Sequence, residues 1–506
     1  MAKPDVPLRS AGAARLLALA VVASCNEGDT LAPRDSGPSE VTFPEGFMWG
    51  SAAAAFQVEK GLGNTDWGIW VKTPGKIKNG DDPDVGGPDA LAHIDTDVAL
   101  LKAASQNAYR FSIEWARVYP TRDAFDADQP AADAIASYDA LFAALRAAGV
   151  RPMVTLQHFT LPDWLSDPRK PDEPQGWERQ QTVDAFAVWC ARAAGRWGKD
   201  VDWWATINEP LVAPIAGYVQ GSFPPGLTLK IDRALTVGRN EVVAHARCFD
   251  AIKTADTVDT DGDGSPSQVG IVQHMRAVEP EDPEDPADVA AAERVRYVNN
   301  LWFINAVVRG DWDDDFDGRL DGPNDRRADP ALANRSDWLG INYYSALTAS
   351  ARGLVLPVVN ASIRQDQLRT DRPKTDFHWD IYPEGLRIVL EEVRPYAKPI
   401  VITENGIADS GDRNRGRFVL EHLFQLGLAR DAGIDVRGYF YWSLLDNFEW
   451  AHGFCPRFGL HTVDRITAAR AARPSAQVYA NVARTNKVTR ADIDGQPPYG
   501  PPSYCD

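Results

Sequence analysis

Two glutamates stand where a strand is about to end. Glu209 lies in Thr206-Ile207-Asn208-Glu209-Pro210, and Glu404 in Ile402-Thr403-Glu404-Asn405-Gly406. Each follows a short apolar run, Val201 to Ile207 and Pro399 to Thr403, and each runs into a chain breaker, proline or glycine. A carboxylate at the C-terminal tip of a parallel strand is where a barrel enzyme keeps its chemistry. Two of them on different strands suit cleavage of a glycosidic bond. One attacks the anomeric carbon, and the other gives a proton to the leaving oxygen. A lone strand-end glutamate is as readily half of a buried ion pair. Two such residues on one barrel face favour chemistry.

The elements that must hold this pair can be read from the apolar pattern. Strand-like runs occur at Met48–Ala52, Ala108–Ile113, Met153–Gln157, Trp203–Ile207, Val269–Gln273, Trp338–Asn342, Ile400–Thr403 and Gly438–Trp442. Between them lie helical patterns at Ala131–Ala148, Val183–Trp197, Ala234–Ala255, Val289–Val308, Glu384–Val393 and Arg415–Ala432. This alternation predicts the α/β class and a (β/α)8 TIM barrel. The length beyond a barrel's usual ~250 residues goes to long loops at the active-site face. The barrel domain is expected over 43–485, with 486–506 as a C-terminal tail.

The first residues are not part of this pattern. Lys3, Arg9 and Arg15 precede a short apolar stretch, Leu16 to Ala23, too short to span a bilayer. Val22-Ala23-Ser24-Cys25 resembles a bacterial lipoprotein signal. Residues 1–24 would be removed, Cys25 would carry the lipid, and 25–42 would form a flexible linker. A general secretory signal is the alternative. Either way the protein is expected to be exported, lipid-anchored at the cell envelope or secreted, and to meet a membrane only through Cys25.

Composition agrees with a globular enzyme: 44% hydrophobic and 25% charged among 506 residues. A net charge of −18 argues against nucleic acid or an anionic membrane surface as partner. Cys190 lies in an apolar helical stretch and reads as a buried thiol. Cys455 and Cys505 lie in loop-like sequence that would permit a bridge in an exported protein. Two acidic loops space carboxylates as the first half of a calcium loop does. They are Asp259, Asp261, Asp263 before Gly264, and Asp313, Asp315, Asp317 before Gly318, with Asp321 beyond. Both lack the closing glutamate, since Gly270 and Asn324 hold those positions.

Further segments accompany the two glutamates in order along the chain. They are Phe47-Met48-Trp49-Gly50 with Gln57-Val58-Glu59, Tyr109-Arg110-Phe111-Ser112-Ile113-Glu114-Trp115-Ala116-Arg117, and Gln157-His158-Phe159-Thr160-Leu161-Pro162-Asp163-Trp164. After these come Gly340-Ile341-Asn342-Tyr343-Tyr344, Trp442 to Trp450, and Arg457-Phe458-Gly459. With them the chain resembles the retaining β-glucosidases of glycoside hydrolase family 1 over nearly all of 43–480. The stretch Asn64 to Trp70 is more similar to archaeal-type members, and Lys60 and Phe454 depart from the usual pattern at the pocket rim.

The resemblance implies Glu404 as nucleophile and Glu209 as acid and base, with no cofactor required. Arg110 and Tyr344 are expected to lower the pKa of Glu404, while Glu209 has no cation beside it in sequence. Asn342 supports the pair. Gln57, His158, Asn208 and Glu449 would bind the hydroxyls of the non-reducing-end sugar. Trp442, Trp450 and Phe458 would form an aromatic wall. Glu449 would repel a phosphate, so an unphosphorylated sugar is expected. The implied activity is hydrolysis of small β-glucosides or oligosaccharides, releasing glucose and also galactose or fucose. Transglycosylation at the same site and a non-catalytic sugar-binding lipoprotein are the alternatives. The presence of both carboxylates speaks against the second.

Overall fold

Eight short runs rich in β-branched and aromatic residues form the centre of the molecule, and most are buried along their whole length. Strands buried on both faces need helices on one side and a packed interior on the other. In the computed structural model, which describes residues 37–353, 356, 358–364 and 371–505, they are β1 (Met48–Ala52), β2 (Ala108–Ser112), β3 (Arg151–Gln157), β4 (Trp203–Asn208), β5 (Gln268–Pro280), β6 (Trp338–Ser350), β7 (Ile400–Asn405) and β8 (Val436–Trp442). Each strand pairs in parallel with the next, and β8 pairs with β1 from Gly438↔Met48 to Trp442↔Ala52. The sheet is therefore a closed (β/α)8 barrel.

One principal helix follows each strand: α1 (Ile94–Ala103), α2 (Ala132–Ala148), α3 (Gln180–Trp197), α4 (Ile231–Ala255), α5 (Pro286–Arg296), α6 (Pro383–Val393), α7 (Arg415–Asp431) and α8 (Pro474–Thr485). Their boundaries have local causes. Pro286, Pro383 and Pro474 open α5, α6 and α8, where a missing N–H is harmless. Gly149 ends α2 at φ +64. The interior is filled at the start of the strands by Met48, Ala108, Met153, Trp203 and Trp338, with the two tryptophan rings 5.5 Å apart.

All eight sequence-predicted strands are present. Two of them, β5 and β6, run well past the predicted ends to 13 residues each. Their upper halves pair from Ala277↔Ala346 to Pro280↔Ala349 and add the short antiparallel strand Ser362–Arg364. The predicted runs stop at Gln273 and Asn342, because the continuations mix polar and apolar residues without strict alternation. The single helix expected at Val289–Val308 is interrupted. Beyond α5 the chain widens into π-type turns at Tyr297–Leu301 and Asn305–Arg309 around the short helix Trp302–Ile304. The pattern did not reveal α1 or α8. Among α1's residues only Asp97, Val98 and Leu101 are buried, a stripe too thin to register.

The cysteines correct one expectation. Cys190 is not a free thiol but is bonded to Cys248, because α3 and α4 pack side by side and bring the two Cα atoms to 5.4 Å. Cys455 and Cys505 form the bridge their loops allowed, with Cα atoms 5.7 Å apart. Glu40–Thr42 pairs antiparallel with Lys487–Thr489. The stretch read as a signal, residues 1–24, and the anchor position Cys25 lie outside the described residues.

The Cys190–Cys248 bridge closes a 58-residue separation. Replacing both cysteines by alanine should lower the unfolding free energy by roughly 4 kcal/mol on the chain-entropy estimate. Denaturant midpoints of the variant and the parent measure it, and equal midpoints would show that the bridge adds nothing.

Candidate active site

The barrel register brings the predicted residues to one end. Asn342 on β6 pairs with Glu404 on β7, and Asn208 at the end of β4 pairs with Val272 on β5. Glu209 then leaves the sheet at φ +50, a conformation that non-glycine residues rarely adopt, while its N–H still reaches the Val272 carbonyl at 2.8 Å. A side chain at Gly406 would run into the Trp442 carbonyl oxygen, so the turn after Glu404 requires glycine.

A continuous hydrogen-bond network joins the two glutamates. Arg110 Nη1 donates to Glu404 Oε1 at 2.6 Å, and Nη2 donates to Asn208 Oδ1 at 2.6 Å. Asn342 Nδ2 reaches Asn208 Oδ1 at 3.1 Å and Glu209 Oε1 at 2.7 Å, while Asn342 Oδ1 accepts from Thr403 Oγ1 at 2.7 Å. Tyr344 donates its hydroxyl to the second oxygen of Glu404 at 2.7 Å. Both glutamates are buried, at 8% and 4% exposure.

Burial makes ionisation costly for both, but their neighbours differ. The Glu209 carboxyl is pushed up to about 8, chiefly by burial and then by the charge of Glu404. Burial also raises Glu404, against the pull of Arg110 and Tyr344. The expected lowering of Glu404 is thus corrected: Arg110 and Tyr344 act in the expected direction, and burial outweighs them. The ion pair and phenol at Glu404 leave the shared proton on Glu209. The sequence also missed a cation near Glu209. Arg276, on the extended part of β5, exerts a field that opposes the rise.

The residues expected to meet the sugar lie together along one cleft. His158 is held neutral by burial and by Arg110. Its Nε2 accepts from Asn208 Nδ2 at 3.2 Å, which puts the ring proton on Nδ1, a buried atom with no partner. Gln57 donates to the Asn447 side chain at 3.1 Å and the Phe448 carbonyl at 2.8 Å, leaving its own buried oxygen unpartnered. Trp442 Nε1 donates to Glu449 at 3.1 Å. Polar atoms left unsatisfied in a dry site are prepared for a polar ligand. The His158 ring lies near-parallel to Trp442 and Trp450, 5.9 Å and 6.2 Å away. Phe458 meets Tyr344 edge-on at 6.0 Å. These residues line one cleft of about 610 Å³.

Residues 39–488 match the glycosyl hydrolase family 1 profile. The chain belongs to that family. It is 33% identical to a β-galactosidase of Pyrococcus woesei, covering 88% of this chain and 98% of the relative. It is also 33% identical to β-glucosidase A of Thermotoga maritima, again over 88% of this chain and 98% of the relative. Among solved structures, the β-glycosidase of the hyperthermophile Thermosphaera aggregans superposes with a TM-score of 0.78 at 29% identity, covering 90% of this chain and 99% of that one. The family 1 β-glucosidase of Thermotoga maritima gives 0.77 at 30% identity over 89% and 100%.

For a family 1 glycosidase, the outer cleft holds residues that the sequence reading did not single out. His274 and Arg276 rise on β5, with Arg276 Nε donating to His274 Nε2 at 2.9 Å. Trp379 stands edge-on to Tyr344 at 5.7 Å and lies under the Arg276 guanidinium at 5.1 Å. Phe377 and Trp379 were legible only as an aromatic cluster in a loop with no strand next to it. Farther out the wall is apolar, with Ile215, Val219, Leu235, Val298, Val358 and Ile363. No lysine lines the cleft among the described residues. Glu449 is pushed up to about 8, first by burial, so it is neutral near pH 7. The expected rejection of a phosphate therefore cannot rest on the charge of Glu449.

The two acidic loops do hold clustered carboxylates. In each triad, Asp259, Asp261 and Asp263 or Asp313, Asp315 and Asp317, one oxygen per residue lies within 4.8 Å of the others. The structure does not bring Asp321 to its triad.

Because Glu209 keeps its proton in the fold up to about pH 8 but would lose it near 4.5 when unfolded, it favours the fold at low pH. That contribution shrinks as pH rises from about 4.5 to about 8. Glu209→Gln, which imitates the protonated form, should therefore gain thermal stability over the parent as pH climbs through this window. A melting-temperature difference that stays flat or falls with pH would contradict the assignment.

Proposed function

We propose that the protein is a retaining β-glycosidase that releases terminal β-D-glucosyl residues, with galactosyl and fucosyl residues as further glycones. The observation that carries this reading is the unequal environment of the two glutamates. Glu404 is ion-paired to Arg110 and bonded to Tyr344, whereas among the described residues the Glu209 side chain meets only the Asn342 amide by hydrogen bond. An ionised Glu404 attacks the anomeric carbon while protonated Glu209 gives its proton to the departing oxygen. The new ester at Glu404 removes the negative charge that raised Glu209. Glu209 then ionises more readily and takes a proton from the water that attacks the glycosyl-enzyme. Neither step needs a cofactor.

Asn208 faces both Glu404's cation and His158, which suits a sugar hydroxyl next to the reacting carbon. The free oxygen of Gln57 and the Nδ1 proton of His158 supply an acceptor and a donor for hydroxyls deeper in. The apolar outer wall favours aryl and alkyl aglycones over a second sugar, since it offers few partners for hydroxyls. We further propose export with lipid attachment at Cys25. Two disulfides support an oxidising compartment, and the small residues before Cys25 support the anchor. The mass of the mature N-terminus tests it, and an unlipidated Cys25 would overturn it.

Glu404→Gly should lose activity on an aryl β-glucoside by about a thousandfold or more. Azide should restore turnover and give the α-glycosyl azide. Near-normal turnover of the variant without azide would sink the nucleophile assignment. For the parent enzyme kcat/KM should fall as pH rises through about 8, where Glu209 loses the proton that the first step needs. In Glu209→Ala this alkaline limb should vanish for substrates whose leaving group needs no proton. A limb that persists there would assign it to another group.

A further inference from the structure

We propose that Asp313, Asp315 and Asp317 form a calcium site that fastens the loop carrying Phe316 to the back of the substrate cleft. The three residues each bring one oxygen within 4.8 Å of the others. Three ionised carboxylates so close repel one another, and a cation between them relieves that repulsion. Among the described residues no ion pair relieves them. Arg239, which reaches this loop from α4, pairs with Asp314 at 3.0 Å.

The observation that points to a ligand is Asp313. It is 0% exposed. One of its oxygens accepts from the Tyr297 hydroxyl at 2.6 Å and the Gly318 N–H at 2.9 Å. The other, Oδ1, is buried with no hydrogen-bond partner among the described residues. A buried carboxylate oxygen without a donor is unfavourable, and an ion coordinated there would satisfy it. Donors that are all oxygens, at alternate positions before a glycine, suit a hard cation of calcium's size, with backbone carbonyls and water completing the shell.

The backbone agrees. In the other acidic loop, Gly262 and Gly264 take φ +76 and +91. At the corresponding places here stand Phe316 at +63 and Gly318 at +86. Glycine adopts such angles freely, and phenylalanine does not. Phe316 is held there by its ring, stacked 4.1 Å from Trp302, whose indole N–H donates to the Asp313 carbonyl at 2.8 Å. Phe316 is also part of the cleft wall. A cation at Asp313 would thus stabilise a strained turn that shapes the aglycone side.

The 259–263 loop has the same spacing but not the same case. Asp259, Asp261 and Asp263 are all exposed, and both Asp259 oxygens already accept backbone N–H groups, from Gly262 at 2.8 Å and Gly264 at 3.0 Å. Nothing there is buried and unpartnered, so the proposal stops at the second loop.

Terbium, a luminescent substitute for calcium, tests it on the full-length protein after treatment with a chelator. Tyr297 and Trp302 both bond to Asp313 and would sensitise an ion bound there. The expected result is saturable terbium emission that calcium displaces. It should survive in Asp261→Asn/Asp263→Asn and be lost in Asp315→Asn/Asp317→Asn, which changes only exposed side chains. Calcium should also raise the melting temperature of the parent and of the first variant but not of the second. No sensitised emission, or emission that persists in Asp315→Asn/Asp317→Asn, would overturn the site. Emission lost only in Asp261→Asn/Asp263→Asn would overturn it in favour of the exposed loop.

Discussion

The guanidinium of Arg110, 1% exposed at the centre of the barrel mouth, is the charge on which the rest of the site depends. Taking such a cation out of water is costly, and only a partner charge with complete hydrogen bonding makes it tolerable. Glu404 supplies the charge. Asn208, Thr155 and the Thr403 carbonyl each accept a further N–H. Removing one side of a buried pair of this kind typically costs about 3–5 kcal/mol. Arg110 therefore fixes the positions of Glu404 and Asn208 at once. Through Asn208 it orients Asn342, and through Asn342 it reaches Glu209.

The same arrangement separates the two carboxyls chemically. Both are raised by burial, and a site in which both stayed protonated would have no nucleophile. The single strong cation contact lies on Glu404, so ionisation goes there and the proton goes to Glu209. Glu404's charge then raises Glu209 further. In the proposed mechanism, two groups of one residue type acquire opposite tasks from their neighbours alone. The extended β5 and β6 strands add Arg276 and Tyr344 and carry the walls of the cleft beyond the barrel proper. There the lining becomes more apolar, in keeping with the proposed preference for aryl and alkyl aglycones.

Much of this was legible in the chain because parallel strands are short, apolar and repeated. All eight runs were visible, and strand-end position followed from the breakers behind Glu209 and Glu404. Where the local signal was thin, the pattern was silent. The helix at Ile94–Ala103 buries too few apolar side chains, the mixed ends of β5 and β6 do not strictly alternate, and the break after Arg296 sits inside an otherwise helical composition. Cys190 and Cys248 were separated by a strand and two loops, so only the packing of α3 on α4 could join them.

What the sequence by itself determined is the fold class, the position of the two carboxylates at strand ends and most of the residues that line the cleft beside them, because these depend on period, breakers and motif. What only the tertiary structure decided is the electrostatics. The distance from Arg276 to Glu209, the burial that lifts Glu404 despite Arg110, and the neutrality of Glu449 all depend on groups far apart in the chain. So does the difference between two acidic loops of the same spacing, one in water and one with a buried oxygen left over. Charge acts through space and through the local dielectric, and neither can be counted along a sequence.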